Sequence, residues 1–218
     1  MSLSSVADLP VRTRRSTPSR AAGAVLRDSA AALAAGDLRL AEAAVDGAET
    51  IEHRLDDLRH AVMIGGDTTR WAPLRRRSRG QLDRYSRVVS HADLAARTML
   101  VLARNVRVFV RGGNAPHPEL AESVRDLGLA AWELPRQFDE PWRSGDVLRL
   151  ALGAAGHVTA VAAQDSRLAV NEIAGQVRSI AIDIVRASEA GETDSSTLGE
   201  APTEELLAAL PLPEPAAA

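Results

Sequence analysis

The 218-residue chain contains no cysteine and no lysine, and aromatic residues make up only 3% of it. The absence of cysteine excludes disulfides and thiolate metal sites. All 26 basic residues are arginines, which most simply reflects codon bias in a GC-rich genome, although guanidinium is also the better bidentate partner for carboxylate and phosphate. Because strands prefer β-branched and aromatic residues, the low aromatic content and the many Ala and Leu residues favour packed helices over sheets.

The sequence also lacks an apolar run of the length that a membrane helix needs, which is about 20 residues. The longest central uncharged run, residues 150–164, has 15 residues and includes His157. The first 20 residues carry four arginines but no following apolar block of the signal-peptide type. We therefore expect neither a membrane-spanning segment nor a secretion signal in this sequence.

The length suits one domain with a core of its own. We predict a disordered segment at residues 1–17, a helical bundle at 18–190 and a disordered tail rich in acid, proline and alanine at 191–218, with a turn of helix near 203–210. The tail carries six acidic residues and no basic one: Glu192, Asp194, Glu200, Glu204, Glu205 and Glu214.

Apolar residues recur at steps of three and four in six segments of the bundle region, which is the helical period. The predicted helices are Thr17 to Ala35 before Gly36, Asp37 to the pair Gly65-Gly66, Pro73 to Arg111, a fourth ending near Pro135, a fifth from Ser144, and a sixth through Val170 to Ala187. Each apolar stripe needs another helix to cover it. The sequence therefore predicts an all-α fold, an antiparallel bundle of five to six helices with one long central helix.

Charge is concentrated between residues 67 and 113, where eleven arginines stand against three aspartates, a net charge of +8. The candidate anion or headgroup contacts within it are Arg75, Arg76, Arg77 and Arg79. Guanidinium groups in such a cluster match phosphate, carboxylate and anionic lipid headgroups. The alternative is a solvated helix start paired with acids of neighbouring helices. Nucleic acid is not an expected partner, because the pI is near 6.0 and no reader motif accompanies the arginines.

The second predicted helix has an acidic surface, formed by Asp46, Glu49, Glu52, His53, Asp56 and Asp57. The pairs Glu49/His53 and Glu52/Asp56 are four residues apart and could chelate a metal if a facing helix completed the set. This pattern is faintly similar to the acidic clusters of PhoU-like three-helix proteins. The simpler interpretation is a solvated face that complements the basic third helix, and we predict no metal site and no cofactor.

No catalytic pattern is present in the sequence. The five histidines lack zinc-site spacing, and there is no nucleophile elbow, phosphate-binding loop or dinucleotide glycine pattern. Trp71, Trp132 and Trp142 could stack on an aromatic ligand, but large aromatics near helix ends more often fill the core. We predict that the chain is not an enzyme.

Three segments carry a family resemblance. They are Pro73-Leu74-Arg75-Arg76-Arg77; Asp93, Ala95, Arg97, Val101, Leu102, Ala103 and Arg104; and Gln176 to Ser179 with Ala181 and Asp183. In order and approximate spacing over about residues 20–188, they resemble the cytosolic helical part of the FUSC, or aromatic-acid-exporter-like, membrane protein family of actinobacterial type. The chain departs from that pattern at Thr98 for Asn, Leu100 for Arg, and Ile184-Val185 for Leu-Leu.

The resemblance implies a cytosolic helical domain with a structural or regulatory role in efflux and no catalysis of its own. It implies as partner a membrane-embedded transporter half, which carries the substrate path in the family and is absent from this sequence, or an anionic membrane surface. It also implies a cytoplasmic location at the inner face of the cell membrane. Long apolar seams are compatible with a homo-oligomer. The rival hypothesis is a soluble PhoU-like helical regulator or an anion- or metal-binding protein.

Overall fold

The computed structural model describes residues 11–69, 76–138 and 144–192, and within them the side chains of 20–56, 90–91, 93–137 and 144–189. This part of the chain forms six α-helices: α1 Val11–Ala35, α2 Leu38–Thr69, α3 Arg76–Arg111, α4 Pro118–Glu133, α5 Ser144–Gln164 and α6 Leu168–Glu192. A short 3₁₀ turn, Arg136–Phe138, follows α4. The described residues contain no strand, so the predicted all-α bundle is confirmed.

Two helices extend further than their sequence signals indicate. α1 begins at Val11 instead of Thr17, so Pro18 lies inside the helix and not in its first turn, although no glycine or proline interrupts the stretch before it. α2 continues through Gly65 and Gly66 to Thr69, although the glycine pair is its predicted end. A glycine inside a helix costs only about 1 kcal/mol relative to alanine, which is too little to stop a helix without a second breaking signal.

The predicted end at Gly36 is confirmed. Its φ of 66° is left-handed, and its N–H donates to the Ala32 carbonyl at 2.8 Å. Such a residue closes a helix at little cost only when it is glycine. Gly113, with φ of 71°, ends α3 in the same way, just after Arg111.

Much of the two predicted disordered ends falls outside the described residues. These are the first ten residues and residues 193–218, including the turn of helix expected near 203–210. Within the described part, the helices run from Val11 to Glu192, which extends beyond the predicted limits of 18–190 at both ends.

The helices pack around a closed ring in the order α1, α2, α3, α6, α5, α4, and back to α1. α1 also contacts α3, and α4 contacts α6, so each half of the sequence forms a three-helix unit. The units meet along α1–α4 and α3–α6. α3 is the longest helix, as predicted, but it is no more central than α1, α4 and α6, because each of these four helices contacts three others.

Neighbours in the ring run antiparallel. The N–H of His117, just before α4, donates to the Leu33 carbonyl near the end of α1 at 2.9 Å. Farther along, Gly128 of α4 lies against Gly23 and Leu26 of α1, so a Cβ at residue 128 would be 3.1 Å from the Leu26 Cβ. The α1–α4 backbones therefore approach closely because Gly23 and Gly128, which have no side chain, face each other at this crossing.

The core is aliphatic and rich in alanine, with Phe109 as its one fully buried aromatic side chain in the described part. The predicted stripe of α6 is buried along its length, and that of α4 is buried except for the partly buried Leu134 at its end: Val170, Ile173, Val177, Ile180, Ile184 and Ala187; and Leu120, Val124, Leu127 and Ala131. The many buried alanines let the helices pack close together, which explains how a core with few aromatics can still be filled.

α5 is longer than the 15 uncharged residues within it. It spans 21 residues, and an 18-residue window has a mean hydropathy of 1.2, so by length and composition this one described helix could cross a membrane. The expectation that no segment reaches this threshold is wrong, because the helix continues through Asp146 and Arg149. Its Val147, Ala151 and Val158 belong to the core of the bundle, so its composition is accounted for by packing.

Candidate functional site

The outer face of α3 is the candidate functional surface. α1, α2 and α6 cover the other sides of this helix. The exposed positions that remain follow steps of three and four: Leu94, Arg97, Val101, Arg104, Val108 and Arg111. This set is called the outer face below. It forms one line along the helix, because steps of three and four return to the same side.

Three apolar side chains repeat every seven residues on the outer face. Leu94 is 48% exposed, Val101 42% and Val108 62%. Consecutive members lie about 10 Å apart along the helix axis. Single exposed apolar residues are ordinary, but a line of them on one helix is typical of a contact surface.

Three arginines alternate with these apolar side chains, and two of them reach acids of α2. Arg104 Nη2 lies 3.1 Å from Glu49 Oε1, and Arg111 Nη2 lies 3.7 Å from Glu42 Oε1. Arg97 Nε pairs within its own helix, 3.4 Å from an Asp93 carboxylate oxygen. Each exposed pair of this kind contributes only about 0–1 kcal/mol. The pairs therefore show the register in which α2 and α3 pack, and they contribute little to the stability of the fold.

One acid of these pairs, Glu49, belongs to the acidic surface considered above for metal binding. The Glu49 carboxylate already accepts a hydrogen bond from Arg104, so it is not free to bind a metal ion. Among the residues that the structure describes, no group of three His, Asp or Glu side chains is arranged to hold a metal ion. The side chain of Asp57 lies outside the described part. For the described acids, complementarity to the basic helix is the interpretation that the contacts favour.

The predicted arginine cluster lies at the start of α3. Arg75 falls outside the described residues. Arg76, Arg77 and Arg79 belong to the first turns of the helix, but their side chains are outside the described part. The α2–α3 register places Glu42 and Glu49 opposite the other end of α3, so these two acids are remote from this cluster. Its anion-binding role stays a prediction.

A buried carboxyl group lies between α3 and α6. Asp183 is 8% exposed, and burial raises its pKa, while the nearby charges of His91 and Arg186 act in the opposite direction. The His91 Nδ1 is buried and has no hydrogen-bond partner in the described structure. Asp183 is a residue of the third resemblance segment. Its position shows that this segment contributes to the α3–α6 interface.

Polar side chains tie three turns together at the opposite end of that interface. Arg167 Nε donates to both carboxylate oxygens of Asp165, at 2.9 and 3.0 Å, and Arg167 Nη1 donates to Asn114 Oδ1 at 3.3 Å. His117 Nε2 lies 3.5 Å from Asp165 Oδ2, and its Nδ1 accepts from the Leu120 N–H. The hydrogen bonds from Arg167 hold the pKa of Asp165 well below its usual range. The arrangement joins helix ends and leaves the carboxylate engaged.

The Trp132 ring packs against two arginines and a glycine. The guanidinium groups of Arg20 and Arg136 lie 5.2 and 5.9 Å from its ring centroid, which is within cation–π range. Its Cβ and ring also lie against Gly23. Trp132 is partly buried and packs between α1 and these arginines, outside the hydrophobic core that the sequence predicted it to fill. Trp71 and Trp142 lie outside the described residues.

Comparison with known proteins identifies no relative: no protein-family model, curated protein or solved structure matches the chain significantly. The site therefore has to be interpreted from its own geometry. The family resemblance and everything it implies about partners and location remain predictions.

The apolar part of the outer face was detectable in the sequence but is not among the predicted site residues. Leu94, Val101 and Val108 repeat at seven residues, out of phase with the buried stripe through Met99 and Leu102. A helix with a second apolar repeat, in addition to the one that faces the core, has an apolar face that its own bundle does not cover.

Proposed function

We propose that this chain is a helical domain without catalysis of its own that works by binding a membrane-embedded partner. It would form the cytosolic part of an exporter similar to the FUSC, or aromatic-acid-exporter-like, family. The observation that carries the proposal is the exposure of Arg97, Val101 and Arg104, three residues of the second resemblance segment, on one line of the outer face.

The buried and exposed members of that segment have different explanations. Ala95, Leu102 and Ala103 are in the core, where any helical bundle needs small or aliphatic residues. Packing within this chain does not require a valine or an arginine at positions that face solvent. Contact with another molecule accounts for an apolar and a cationic residue side by side on a surface, since apolar and guanidinium groups are both enriched at protein interfaces.

The arrangement of the segments also supports the proposal. The second segment lies on α3 and the third on α6, and these two helices pack against each other. Arg167, at the start of α6, has its guanidinium 5.7 Å from the Phe109 ring centroid near the end of α3, so the pair is antiparallel. The segments that resemble the family thus belong to one helix pair. Resemblance within a single packed unit supports the proposal more than the same number of scattered matches would.

The arginine cluster at the start of α3 would serve as the membrane-proximal contact. Each basic residue near an anionic lipid surface is worth about 1 kcal/mol. We therefore place this end of the bundle at the inner face of the cell membrane, with Arg75, Arg76, Arg77 and Arg79 toward headgroups or other anions.

The headgroup contact is tested by sedimentation of the protein with phosphatidylglycerol vesicles and with phosphatidylcholine vesicles at low salt. The double variant Arg76→Glu with Arg77→Glu should lose more than about tenfold in affinity for the anionic vesicles. The matched control, Arg125→Glu with Arg149→Glu on α4 and α5, makes the same charge change away from the cluster and should retain most of the binding. Equal losses for both variants, or no binding by the unmodified protein, would contradict the headgroup role.

The exporter assignment itself is tested on the source genome. Reading frames in frame with or adjacent to this coding sequence should encode several runs of about 20 apolar residues. Their absence would favour the alternative below.

The alternative function is a soluble PhoU-like regulator or small-anion or metal-binding protein. The observation that favours it is the division of the bundle into two consecutive three-helix units, α1–α3 and α4–α6. It predicts a rise in Tm on addition of a divalent metal that is abolished in Glu52→Ala with Asp56→Ala. An unchanged Tm in the unmodified protein would count against the metal-binding form of this alternative.

A further inference from the structure

His117 caps the start of α4 and also belongs to the polar cluster that joins three turns. Its Nδ1 accepts a hydrogen bond from the Leu120 N–H at 3.3 Å, and its Nε2 lies 3.5 Å from Asp165 Oδ2. Its backbone N–H donates to the Leu33 carbonyl at 2.9 Å, near the end of α1. The side chain is only 13% exposed. This one residue therefore connects the end of α1, the start of α4 and the α5–α6 turn.

The contacts of the ring determine which of its nitrogens carries the proton. A neutral imidazole has one N–H, and a nitrogen that accepts a hydrogen bond cannot be the protonated one. Because Nδ1 accepts from Leu120, the proton of neutral His117 is on Nε2, next to the Asp165 carboxylate. In the cationic form both nitrogens carry protons. The cation can therefore keep its contact with Asp165, but it can no longer accept a hydrogen bond from the Leu120 N–H.

We infer that His117 is a pH-sensitive cap, which holds the first turn of α4 while the imidazole is neutral and releases it when the imidazole is protonated. Loss of the acceptor leaves the Leu120 N–H without its partner, since the first N–H groups of a helix have none within the helix itself. The new positive charge also lies at the N-terminus of α4, where the helix dipole disfavours a cation. The release reaches the turn that bonds to the Leu33 carbonyl, which is where α4 meets the end of α1.

The charged groups that face the ring favour its cation but do not replace the lost cap. Asp165 contacts Nε2 from the α5–α6 turn, so it can pair with the ring whether or not Nδ1 caps α4. Arg167, at the start of α6, binds the same carboxylate and offsets part of its charge. These hydrogen bonds hold the pKa of Asp165 well below its usual range, so Asp165 stays ionised in mild acid. On α4 itself, Glu119 is the acidic residue of the first turn.

Charged side chains at the adjoining ends of α3 and α1 are already paired. Arg111, the last residue of α3, lies 3.7 Å from Glu42 of α2. Asp37, between α1 and α2, accepts from the Arg39 backbone N–H at 2.8 Å and lies 3.6 Å from the Arg39 guanidinium. The titrating group of this turn in mild acid is therefore His117.

The inference concerns contacts within the chain and does not depend on the proposed function. It predicts a local response at Leu120 and at Ala121, whose N–H donates to the His117 carbonyl at 3.0 Å. Acidification would thus loosen the junction of α1 and α4 without unfolding the bundle.

The test uses the full chain and NMR between about pH 8 and about pH 5, the range in which histidine ordinarily changes charge. Imidazole nitrogen spectra near pH 8 should show the neutral ring of His117 with its proton on Nε2. Amide hydrogen exchange is compared with the rate of an unstructured peptide at each pH. The Leu120 amide should be about fivefold less protected near pH 5 than near pH 8, the loss expected for one helix cap. Val177, in the middle of α6, should keep its protection.

Substitutions at residue 117 separate the cap from the charge. His117→Asn keeps a side-chain acceptor but does not titrate, so the Leu120 amide should stay protected at both pH values. His117→Ala removes the acceptor, and protection should be low at both. His157→Asn removes another partly buried histidine, on α5, and should leave the pH response intact.

Three results would overturn the inference. The first is equal protection of Leu120 near pH 8 and near pH 5 in the unmodified protein, which would mean that the charge of His117 leaves the cap in place. The second is a pH response that persists in His117→Asn, which would assign the titration to another group. The third is a neutral ring with its proton on Nδ1, because that nitrogen could then not accept from Leu120.

Discussion

At the scale of single residues, Asp183 is the side chain whose burial has the clearest consequence. A carboxyl group with a raised pKa binds its proton more tightly in the folded chain than in the unfolded one. Stability is therefore highest below the ordinary carboxyl pKa of about 4 and falls as pH rises through the folded pKa. Ionisation places a charge in a poorly hydrated position, a cost that the nearby charges of His91 and Arg186 partly offset.

We predict that Asp183→Asn raises the Tm near neutral pH and changes it much less below about pH 4. The amide keeps the shape of the side chain and removes the charge whose burial is unfavourable. Thermal unfolding followed by circular dichroism at the two pH values measures the difference. Asp46→Asn, at an exposed position of α2, is the control and should have little effect at either pH. A lower Tm for Asp183→Asn near neutral pH would mean that the carboxylate is stabilised by its cationic neighbours.

Residues of this kind are hard to identify from the pattern alone. Asp183 lies three residues after Ile180 and four before Ala187, so its spacing fits the buried stripe of α6. Its charge, by contrast, predicts an exposed position. Asp183 is buried only because α3 packs over it, with His91 opposite, and that packing cannot be inferred from the sequence.

At the scale of helices, the α1–α4 crossing depends on the absence of a side chain at Gly128. A Cβ there would lie 3.1 Å from the Leu26 Cβ and 3.6 Å from the Gly23 carbonyl oxygen, and neither atom can rotate away. We predict that Gly128→Ala lowers the free energy of unfolding by about 1 kcal/mol. Overpacking costs about 1–3 kcal/mol and exceeds the gain in helix propensity.

Gly153→Ala on α5 is the matched control for that substitution. Nothing lies within 4 Å of the added Cβ, so only the propensity gain of about 0.5–1 kcal/mol remains. Urea unfolding of both variants should therefore give shifts of opposite sign. Stabilisation by both would mean that α1 and α4 can separate slightly at no cost.

The existence and phase of most helices could be predicted from apolar spacing, whereas contacts between them could not. The stripe from Leu120 to Ala131 is buried as expected, and so is the stripe of α6. The pairing of Glu49 with Arg104 depends on how far α2 and α3 slide past each other. Sequence shows that one helix is acidic and the next basic, but the register comes from packing. For the same reason the outer face is recognised as exposed only after α1, α2 and α6 are placed.

At the scale of the whole molecule, the bundle is a ring closed by two long-range contacts, α1–α4 and α3–α6. Short connections make sequential helices antiparallel, so four of the six ring contacts follow from connectivity alone. The closing contacts do not, because aliphatic stripes of similar length can pair in several orders. Gln137 and Ser188 contribute to fixing the observed order. Their side chains exchange a hydrogen bond of 2.7 Å while both are buried, and the Gln137 amide donates to the Ser188 carbonyl at 3.2 Å.

The turn cluster around Asp165 fixes the other end of the ring, since it joins the segment after α3, the start of α4 and the α5–α6 turn. We predict that Asp165→Asn lowers the Tm near neutral pH, because Arg167 and His117 lose the carboxylate that they share. A carboxyl group with a lowered folded pKa contributes stability above its unfolded pKa of about 4 and loses that contribution as pH falls toward the folded value. The difference from the unmodified protein should therefore shrink in acid, the opposite of the trend for Asp183→Asn.

Asp146→Asn is the control for this last prediction. It removes a carboxylate whose oxygen lies 3.4 Å from Arg149 Nη2 on the exposed side of α5. A solvated pair of this kind contributes about 0–1 kcal/mol. Its effect on the Tm should be small near neutral pH. If Asp165→Asn lowers the Tm equally in acid and near neutral pH, the loss comes from the shape of the turn, and the charge of Asp165 is not what joins the helix ends. If its effect matches that of Asp146→Asn, the cluster contributes no more than an ordinary surface pair, and the ring is held closed by its apolar contacts alone.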